Sequence, residues 1–269
     1  MKSNWKSQIS IWLRKVRLIR FFDRIRYYLV KIRKWPANHA FRTEHPDIPL
    51  PPDYLMYESF QLDYYHYLIN GRKTAEWLLG LVGPHTGVPP GSILDWGCGP
   101  GRIIRHLPDL IPGATYYGTD YNPLSIQWCR QYLPGISFSL NRLLPPMDFK
   151  DHTFDLVYGI SVFTHLSEMA HQVWIEELNR VLKPGGILFL TLHGDSFTEK
   201  MNTAELQQFN QAKLVVRGQV KEGHRTFTAF HPEKWVREWT RKFILLEHLP
   251  GKTLEQDVWI WRKRPAPEK

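Results

Sequence analysis

Apolar residues recur every three or four positions along residues 5–35, which predicts a helix with one apolar face. This face consists of Ile9, Trp12, Val16, Ile19, Phe22, Ile25, Leu29 and Ile32. Pro36 is predicted to end the helix, because proline interrupts the helical hydrogen-bond pattern. Residues 36–53 contain five prolines and no periodicity, so we expect a stiff linker there and a folded domain over residues 54–269.

Residues 54–82 also carry a helical pattern, with a break expected at Asn70-Gly71. The first half of this segment, from Tyr54 to Tyr67, is rich in aromatic side chains. Such a run is either packed core or a lid over a ligand site, and both interpretations stay open.

Strands and helices alternate from residue 92 onward. The predicted strands are Ile93–Trp96, Thr115–Thr119, Ile136–Leu140, Phe154–Ser161, Ile187–Leu192, Phe243–Leu249 and Gln256–Arg262. Helices are expected after Asn122, over Ser167–Leu182 and near Pro232–Lys242. The alternation predicts an α/β fold with a doubly wound parallel sheet, and the short turn at Pro250-Gly251 predicts a final antiparallel strand.

Residues 194–231 interrupt this alternation and contain a predicted hairpin of 214–220 and 224–230. An insertion at this place would cover the acceptor side of a ligand site. Four of its side chains are either substrate contacts or parts of an ordinary surface hairpin: His224, Arg225, Phe227 and His231.

The net charge of +9 is unevenly distributed along the chain. Residues 1–35 hold eleven Lys or Arg and one acid, Asp23, which gives +10, and the remaining residues sum to −1. The first 35 residues are therefore predicted to be a basic amphipathic arm for a polyanionic partner such as an anionic membrane surface. Packing of the apolar face on the body of the protein, or on a second copy, is the alternative.

The two cysteines make neither a disulfide framework nor a zinc cluster, so we expect no metal site. No secretory signal and no apolar run of membrane-spanning length is recognised in the sequence. We therefore expect a cytoplasmic protein, peripheral at the inner face of the membrane through its arm.

The strongest motif is the run from Asp95 to Arg102, D-W-G-C-G-P-G-R, directly after a predicted strand. Three glycines at alternate positions allow a tight turn and a close approach of the backbone to a ligand. The next strand ends in Asp120, whose carboxylate can accept hydrogen bonds from two ribose hydroxyls. Open α/β sheets bind ligands at this edge.

The spacing of the glycines decides between two cofactors. Dinucleotide-binding proteins have G-x-G-x-x-G, whereas this turn is G-x-G-x-G. Asp95 would repel a pyrophosphate but suits the ammonium group of an amino acid. These features favour S-adenosylmethionine over NAD and disfavour a dehydrogenase.

Four motifs in order resemble those of class I S-adenosylmethionine-dependent methyltransferases. They are I-L-D-W-G-C-G-P-G-R at 93–102, Y-G-T-D-Y-N-P at 117–123, F-D-L-V-Y-G-I-S-V-F-T-H-L at 154–166 and R-V-L-K-P-G-G at 180–186. The resemblance implies a Rossmann-like sheet with strand order 3-2-1-4-5-7-6, in which strand 7 is antiparallel. It also implies S-adenosylmethionine as the cofactor.

The resemblance assigns cofactor-binding roles residue by residue. It places Gly97, Cys98, Gly99 and Gly101 along the methionine and ribose, Asp95 near the amino group, Asp120 on the ribose, and Tyr121 beside the adenine. Asn141 stands where the family commonly has an Asp that contacts the adenine amino group, and its side-chain oxygen could accept the same hydrogen bond. Ser161, at the end of the fourth strand, completes the set.

His165 is the candidate catalytic residue, because it follows the fourth strand, where acceptors approach in this fold. A neutral imidazole there can take a proton from a hydroxyl acceptor. The alternative is that His165 only orients the turn or caps the helix that starts near Ser167. Cys98 is interpreted as a small residue that fits between two glycines and not as a nucleophile.

The sequence further resembles bacterial methyltransferases associated with glycan and envelope chemistry, on the runs S-V-F-T-H-L and I-Q-W-C. We therefore expect O-methylation of a sugar, glycan or lipid-linked acceptor. One alternative is an RNA methyltransferase, which the near-neutral body of the chain disfavours, so nucleic acid is not the expected partner. The other is a non-enzymatic binding protein on a degenerate methyltransferase fold, which the intact glycine turn disfavours.

Overall fold

The computed structural model describes residues 19–60, 62–253 and 255–265. Its α-helices are α1 Ile19–Glu44, α2 Asp53–Phe60, α3 Tyr64–Val82, α4 Leu107–Leu110, α5 Pro123–Tyr132, α6 Glu168–Val181, α7 Thr203–Asn210 and α8 Glu233–Trp239. Its strands are β1 Ser92–Trp96, β2 Thr115–Asp120, β3 Ser137–Leu140, β4 Phe154–Ile160, β5 Leu182–Leu192, β6 Val215–Arg217, β7 Thr228–Phe230, β8 Phe243–Leu249 and β9 Asp257–Lys263. Short 3-10 helices lie at Gly83–His85, Ile104–His106, Phe163–His165 and Asp195–Lys200.

Seven of these strands form one sheet in the order β3-β2-β1-β4-β5-β9-β8. Strand β1 is parallel to β2, β2 to β3 and β4 to β5, whereas β9 runs antiparallel to both β5 and β8. Strands β6 and β7 form a separate antiparallel pair. The predicted fold class and strand order, including the antiparallel last strand, are therefore confirmed.

The described chain divides into two compact units, which we call the N-terminal unit (residues 20–142) and the C-terminal unit (residues 143–265). The N-terminal unit contains β1–β3, and the C-terminal unit contains β4, β5 and the β8–β9 hairpin. Val157 and Leu188 are fully buried members of apolar runs in β4 and β5, as is typical of strands covered on both faces. No helix within the described ranges is both long enough and apolar enough to cross a bilayer.

Pro36 does not end the first helix, so this prediction is wrong. Helix α1 continues through Pro36 to Glu44, and residues 36–44 of the expected linker are helical. Proline leaves the carbonyl four residues earlier, that of Ile32, without its amide donor. Because Ile32 is exposed, water can hydrate that carbonyl, and packing after Pro36 holds the helix together. The predicted helix before residue 19 lies outside the described residues.

One face of α1 packs against α2 and α3. Asn38 lies at the centre of this contact, where its Nδ2 donates to the carbonyl of Leu62 over 3.0 Å and its Oδ1 accepts from the amide of Tyr64 over 3.1 Å. Lys34 bonds Asp63 at 2.6 Å, an ion pair that helps to fix α1 at the start of α3. The buried amide contacts matter more for stability than this partly exposed ion pair, since surface pairs contribute little.

The helical pattern of residues 54–82 breaks ten residues earlier than expected. Helix α2 ends at Phe60 and α3 begins at Tyr64, with the Asp63 side chain accepting a capping bond from the amide of His66. Gly71, where the break was predicted, lies inside α3. A Cβ there would stand 2.5 Å from the carbonyl oxygen of Arg102, so this glycine permits close packing and does not form a turn.

Replacing Asn38 with alanine is expected to destabilise the protein by about 1–3 kcal/mol, because a buried amide and a buried carbonyl lose their partner. Urea unfolding followed by circular dichroism measures this change. Thr43→Ala, at an exposed site of the same helix, is the matched control and should leave the free energy of unfolding nearly unchanged. Equal stability of Asn38→Ala and wild type would show that the contact contributes nothing.

Candidate active site

The glycine turn after β1 has the backbone conformation that its sequence predicts. Gly97, Gly99 and Gly101 all adopt positive φ values, +78°, +52° and +73°, which are costly for other residues. The amides of Gly97 and Cys98 both donate to the carbonyl of Thr119 at the end of β2, over 2.8 and 2.9 Å. The turn is therefore folded tightly onto the end of the second strand.

Asp120 is buried beside this turn. Its Oδ2 accepts from the amide of Gly99 over 2.9 Å, and its Oδ1 accepts from the amide of Asn122 over 2.7 Å. Burial raises the pKa of the carboxyl group, and these backbone bonds counteract the shift. A carboxylate offers about four acceptor positions, and the backbone amides of Gly99, Asn122 and Tyr121 do not fill them all, so a ligand hydroxyl can still donate to it.

Asn141 and Tyr121 also lie near Asp120. The amide nitrogen of Asn141 donates to the carbonyl of Asp120 over 3.1 Å, and its side-chain Nδ2 donates to Arg142 over 2.7 Å. Its Oδ1 is buried without a hydrogen-bond partner among the described residues. Burial, followed by the charges of Asp120 and Glu58, raises the pKa of Tyr121 to about 12, which keeps the phenol neutral.

Asp95 lies in β1 just before the turn, Cys98 lies between two of its glycines, and both residues are buried. Burial raises the pKa of the Cys98 thiol, and the nearby carboxylates of Asp95 and Asp120 raise it further. A thiol in such surroundings stays protonated and is a poor nucleophile. The interpretation of Cys98 as a small residue that fits the turn agrees with this environment.

Tyr67 contacts the glycine turn, although the sequence analysis did not single it out. Its buried hydroxyl donates to the carbonyl of Pro100, inside the glycine turn, over 2.8 Å. Of the aromatic run, Tyr57, Tyr64 and Tyr67 are buried and belong to the packed core, whereas Tyr54 and Tyr65 are exposed. Helix α2 nevertheless reaches the turn, because Ser59 Oγ lies 3.5 Å from the position that a Cβ would occupy on Gly99.

Ser161 directly follows β4 in the C-terminal unit and has a φ of +62°, an unusual value for serine that is often found at functional sites. Its hydroxyl lies 2.9 Å from Thr164 Oγ1 and accepts from Gln256 Nε2 over 2.7 Å. Its amide donates to Thr191 Oγ1 over 2.9 Å. Side chains after β4, at the end of β5 and before β9 thus fix this residue, and its predicted role at the cofactor stays a prediction.

His165 closes the short 3-10 helix that follows β4. Its Nδ1 lies 2.7 Å from the carbonyl of Phe227, and a carbonyl can only accept, so Nδ1 carries the proton. Nε2 is then the unprotonated nitrogen of the neutral ring. Burial lowers the pKa of His165, which favours this neutral form. Ser167, and not His165, caps α6, because its Oγ accepts from the amide of Ala170.

His193, directly after β5, repeats this arrangement and was missed by the sequence analysis. Its Nδ1 lies 3.1 Å from the carbonyl of Ala229, two residues beyond Phe227. Carbonyls at positions i and i+2 of an extended segment point the same way, so one edge of the segment holds both rings. Burial lowers the pKa of His193, and the nearby His165 would repel a second positive charge, so His193 stays neutral. Nothing local marks this residue, since its partner is 36 positions away.

The predicted hairpin of the insertion is present but shorter, with strands β6 and β7. Phe227 and His231, which were candidate substrate contacts, are buried, and His224 Nδ1 lies 2.8 Å from Thr226 Oγ1. The amide of Gly223 donates to the carbonyl of His165 over 2.9 Å. The insertion therefore positions the rings of His165 and His193, and several of its buried apolar side chains pack against one another.

A second histidine pair is fully buried in the C-terminal unit. His171 Nε2 and His231 Nε2 are 2.9 Å apart, and His171 Nδ1 lies 2.7 Å from the carbonyl of Ser167. His171 must therefore donate through Nδ1 and accept through Nε2, with His231 as the donor. Burial lowers the pKa of His171 to about 4. Within the described ranges, no group of three or more His, Cys, Asp or Glu side chains could hold a metal ion.

The strand order, the glycine turn and the buried acid after β2 define a class I methyltransferase fold. A family model described as a methyltransferase domain matches residues 93–186, which include the glycine turn, Asp120, Asn141, Ser161 and His165. Residues 93–186 therefore match a methyltransferase domain, and the sheet that contains them has the class I strand order.

Individual relatives agree with this assignment. The probable phthiotriol/phenolphthiotriol dimycocerosates methyltransferase 2 of Mycobacterium ulcerans is 28% identical over 51% of this chain and 50% of its own length. The malonyl-acyl-carrier protein O-methyltransferase of Geobacter sulfurreducens is 29% identical over 62% of this chain and 61% of its own length. The similarity thus spans about half to three fifths of these relatives.

A solved structure shows the same fold. The 1,6-didemethyltoxoflavin-N1-methyltransferase of Burkholderia thailandensis, solved with S-adenosylhomocysteine, superposes with a TM-score of 0.54. The superposition covers 81% of this chain and 93% of that protein at 15% sequence identity. At this identity the likeness establishes the fold alone.

Acidification is expected to destabilise the protein through its buried neutral histidines. The unfolded state binds a proton near pH 6.5, whereas His171 in the folded state resists it down to about pH 4. Stability is therefore highest above pH 6.5 and falls with pH between 6.5 and 4. For His171 alone the loss between pH 7 and pH 5 is about 2 kcal/mol.

Urea unfolding at several pH values measures this loss. His171→Gln keeps a polar partner for His231 but removes one titrating group, so its stability should depend less steeply on pH. If wild type and His171→Gln show the same pH dependence, the buried pair is not its source.

Proposed function

We propose that this protein transfers the methyl group of S-adenosylmethionine to an acceptor hydroxyl. The observation that carries this proposal is the buried Asp120 carboxylate bound to the backbone of a left-handed glycine turn. The buried and unpartnered Oδ1 of Asn141 is an independent sign that a hydrogen-bond donor belongs beside Asp120. Both groups are hydrogen-bond acceptors, and S-adenosylmethionine carries matching donors on its ribose and its adenine.

Each polar group of the N-terminal unit would bind a different part of the cofactor. Asp95 would lie near the ammonium group, Asp120 would accept from the ribose hydroxyls, and Asn141 Oδ1 would accept from the adenine amino group. The glycines would let the backbone approach the methionine portion. S-adenosylmethionine supplies an electrophilic methyl group when bound, and the acceptor supplies the nucleophile.

The acceptor is proposed to be a hydroxyl of a sugar, glycan or lipid-linked molecule. The neutral ring of His165, with its proton fixed on Nδ1, has a basic Nε2 that can take the hydroxyl proton. The name of the Geobacter sulfurreducens relative specifies O-methyl transfer, which supports a hydroxyl or carboxyl oxygen as the site. Methyl transfer is an in-line displacement, so positioning of the acceptor supplies a large part of the rate.

His165 and His193 would have different roles toward the acceptor, His165 as the base and His193 as an orienting residue. The pKa of His193 is lowered so far that its ring is a weak base, and it is better suited to orient the acceptor by accepting a hydrogen bond.

The protein is proposed to work in the cytoplasm at the inner face of the membrane, where a lipid-linked acceptor would be available. RNA is a less suitable acceptor, since the basic residues concentrate in the first 35 positions and leave the body without net positive charge.

Asp120→Ala is expected to weaken the binding of S-adenosylmethionine by about 1.5–3 kcal/mol, the range for hydrogen bonds to a charged group. Isothermal titration calorimetry would register this as a roughly 10- to 150-fold higher Kd. Asp109→Ala is the matched control, because that carboxylate is exposed and pairs only loosely with Arg72 over 3.7 Å. Absence of cofactor binding to folded wild type would refute the proposal itself.

His165→Ala is expected to lower turnover by about 10²–10⁴-fold without changing cofactor affinity, the usual range for loss of a general base. A labelled-methyl screen over sugars, envelope glycans, lipids and RNA first provides the acceptor for this assay. His165→Gln is the informative partner variant, since its amide can still donate to Phe227 but cannot take a proton. Recovery of turnover in His165→Gln would mean that the residue acts only by orienting the loop.

A further inference from the structure

Helix α1 has a mixed inner face and an apolar outer face. Its inner face packs on the N-terminal unit through Asp23, Tyr27, Val30, Lys34, Asn38 and Phe41. The opposite face, which we call the outer stripe, consists of Phe21, Phe22, Ile25, Tyr28, Leu29, Ile32 and Trp35. Leu29 is 62% exposed, Ile32 73% and Trp35 61%, so the outer stripe is a continuous apolar surface open to solvent.

Basic side chains border the outer stripe on both sides. With 3.6 residues per turn, Arg24 and Lys31 fall along one border, and Arg26 and Arg33 fall along the other. All four positions are exposed. Lys31 pairs with Asp53 of α2 over 2.8 Å, so the charge of the borders comes mainly from Arg24, Arg26 and Arg33. Of the acids of α1, Asp23 accepts a hydrogen bond from Tyr57 on the inner face and Glu44 is the last residue.

We infer that the outer stripe is a docking surface for an anionic lipid bilayer. An apolar stripe with basic borders settles in the plane of the headgroups without crossing the membrane. Tyr28 and Trp35 are of the types that favour this boundary, and the arginines would lie at the level of the lipid phosphates. The inference rests on the proposed function in one respect, since a lipid-linked acceptor gives the enzyme a reason to bind there.

Charge complementarity favours the bilayer over a second copy of the chain. An isologous contact through the outer stripe would bring the arginine borders of two copies together, and like charges oppose such a contact. An anionic leaflet presents the opposite sign along both borders. An anionic bilayer therefore offers apolar contact to the outer stripe and opposite charge to its basic borders at the same time.

The helix is already anchored for this role. Lys31 pairs with Asp53 over 2.8 Å, Tyr57 donates to Asp23 over 3.0 Å, and Asn38 bonds α1 to the start of α3. A helix fixed through its inner face needs no ordering when its outer stripe meets a membrane, which removes an entropic cost of binding.

The test is co-sedimentation of the full chain with vesicles made of equal parts phosphatidylcholine and phosphatidylglycerol. Wild type is expected to bind these vesicles at low salt, to bind less as salt increases, and not to bind vesicles of phosphatidylcholine alone. The double variant Leu29→Glu with Ile32→Glu places two acids on the outer stripe and should bind at least about tenfold more weakly. Arg26→Glu with Arg33→Glu should lose binding to a similar degree.

Val88→Glu is the matched control, because Val88 is an apolar residue, 76% exposed, outside α1, and its replacement should leave vesicle binding unchanged. Circular dichroism shows whether each variant is folded. Calorimetry with S-adenosylmethionine separates this inference from the proposed function, because vesicle binding does not require the cofactor. Full vesicle binding by the Leu29→Glu, Ile32→Glu variant would overturn the inference, as would indifference of wild type to anionic vesicles. A wild-type dimer in sedimentation equilibrium that this variant dissociates would reassign the outer stripe to contact between copies.

Discussion

The bond between the Gly99 amide and the Asp120 carboxylate holds together the part of the chain that would bind the cofactor. It joins the glycine turn after β1 to the end of β2, and it requires a left-handed Gly99 and a buried acid at once. Neither is favourable alone, because burial penalises the charge and few residues tolerate that φ. Together they leave acceptor positions on a carboxylate whose placement is fixed before any ligand arrives.

Much of this arrangement follows from local sequence. The three glycines require positive φ values, and the acid ending the next strand is placed beside the turn by parallel pairing of β1 and β2. Unbroken apolar runs identify the central strands, and the short turn at Pro250-Gly251 makes the last strand antiparallel. The glycine turn and the acid beside it are therefore predictable from local sequence, whereas the strand order was expected from the family resemblance, because it depends on pairings between strands far apart along the chain.

The features that could not be predicted depend on distant contacts. Pro36 stays helical because Asn38 and Phe41 pack against α3, and Gly71 serves close packing against Arg102 and not a turn. His193 becomes a possible acceptor contact only through Ala229, whose carbonyl fixes its proton. In each case the local signal is correct for an isolated segment, and tertiary packing overrides it.

Helix α1 shows why the meaning of an amphipathic pattern depends on packing. Phe22, Ile25, Leu29 and Ile32, which the periodicity places on one apolar face, are exposed, and a mixed set centred on Val30 and Asn38 packs inward. Helix α2 receives that inner face and also reaches the glycine turn through Ser59. The outer stripe and the turn that is proposed to bind the cofactor thus belong to one compact unit and are connected through α1 and α2. If the outer stripe binds a membrane, that membrane would contact the same compact unit that is proposed to bind the methyl donor.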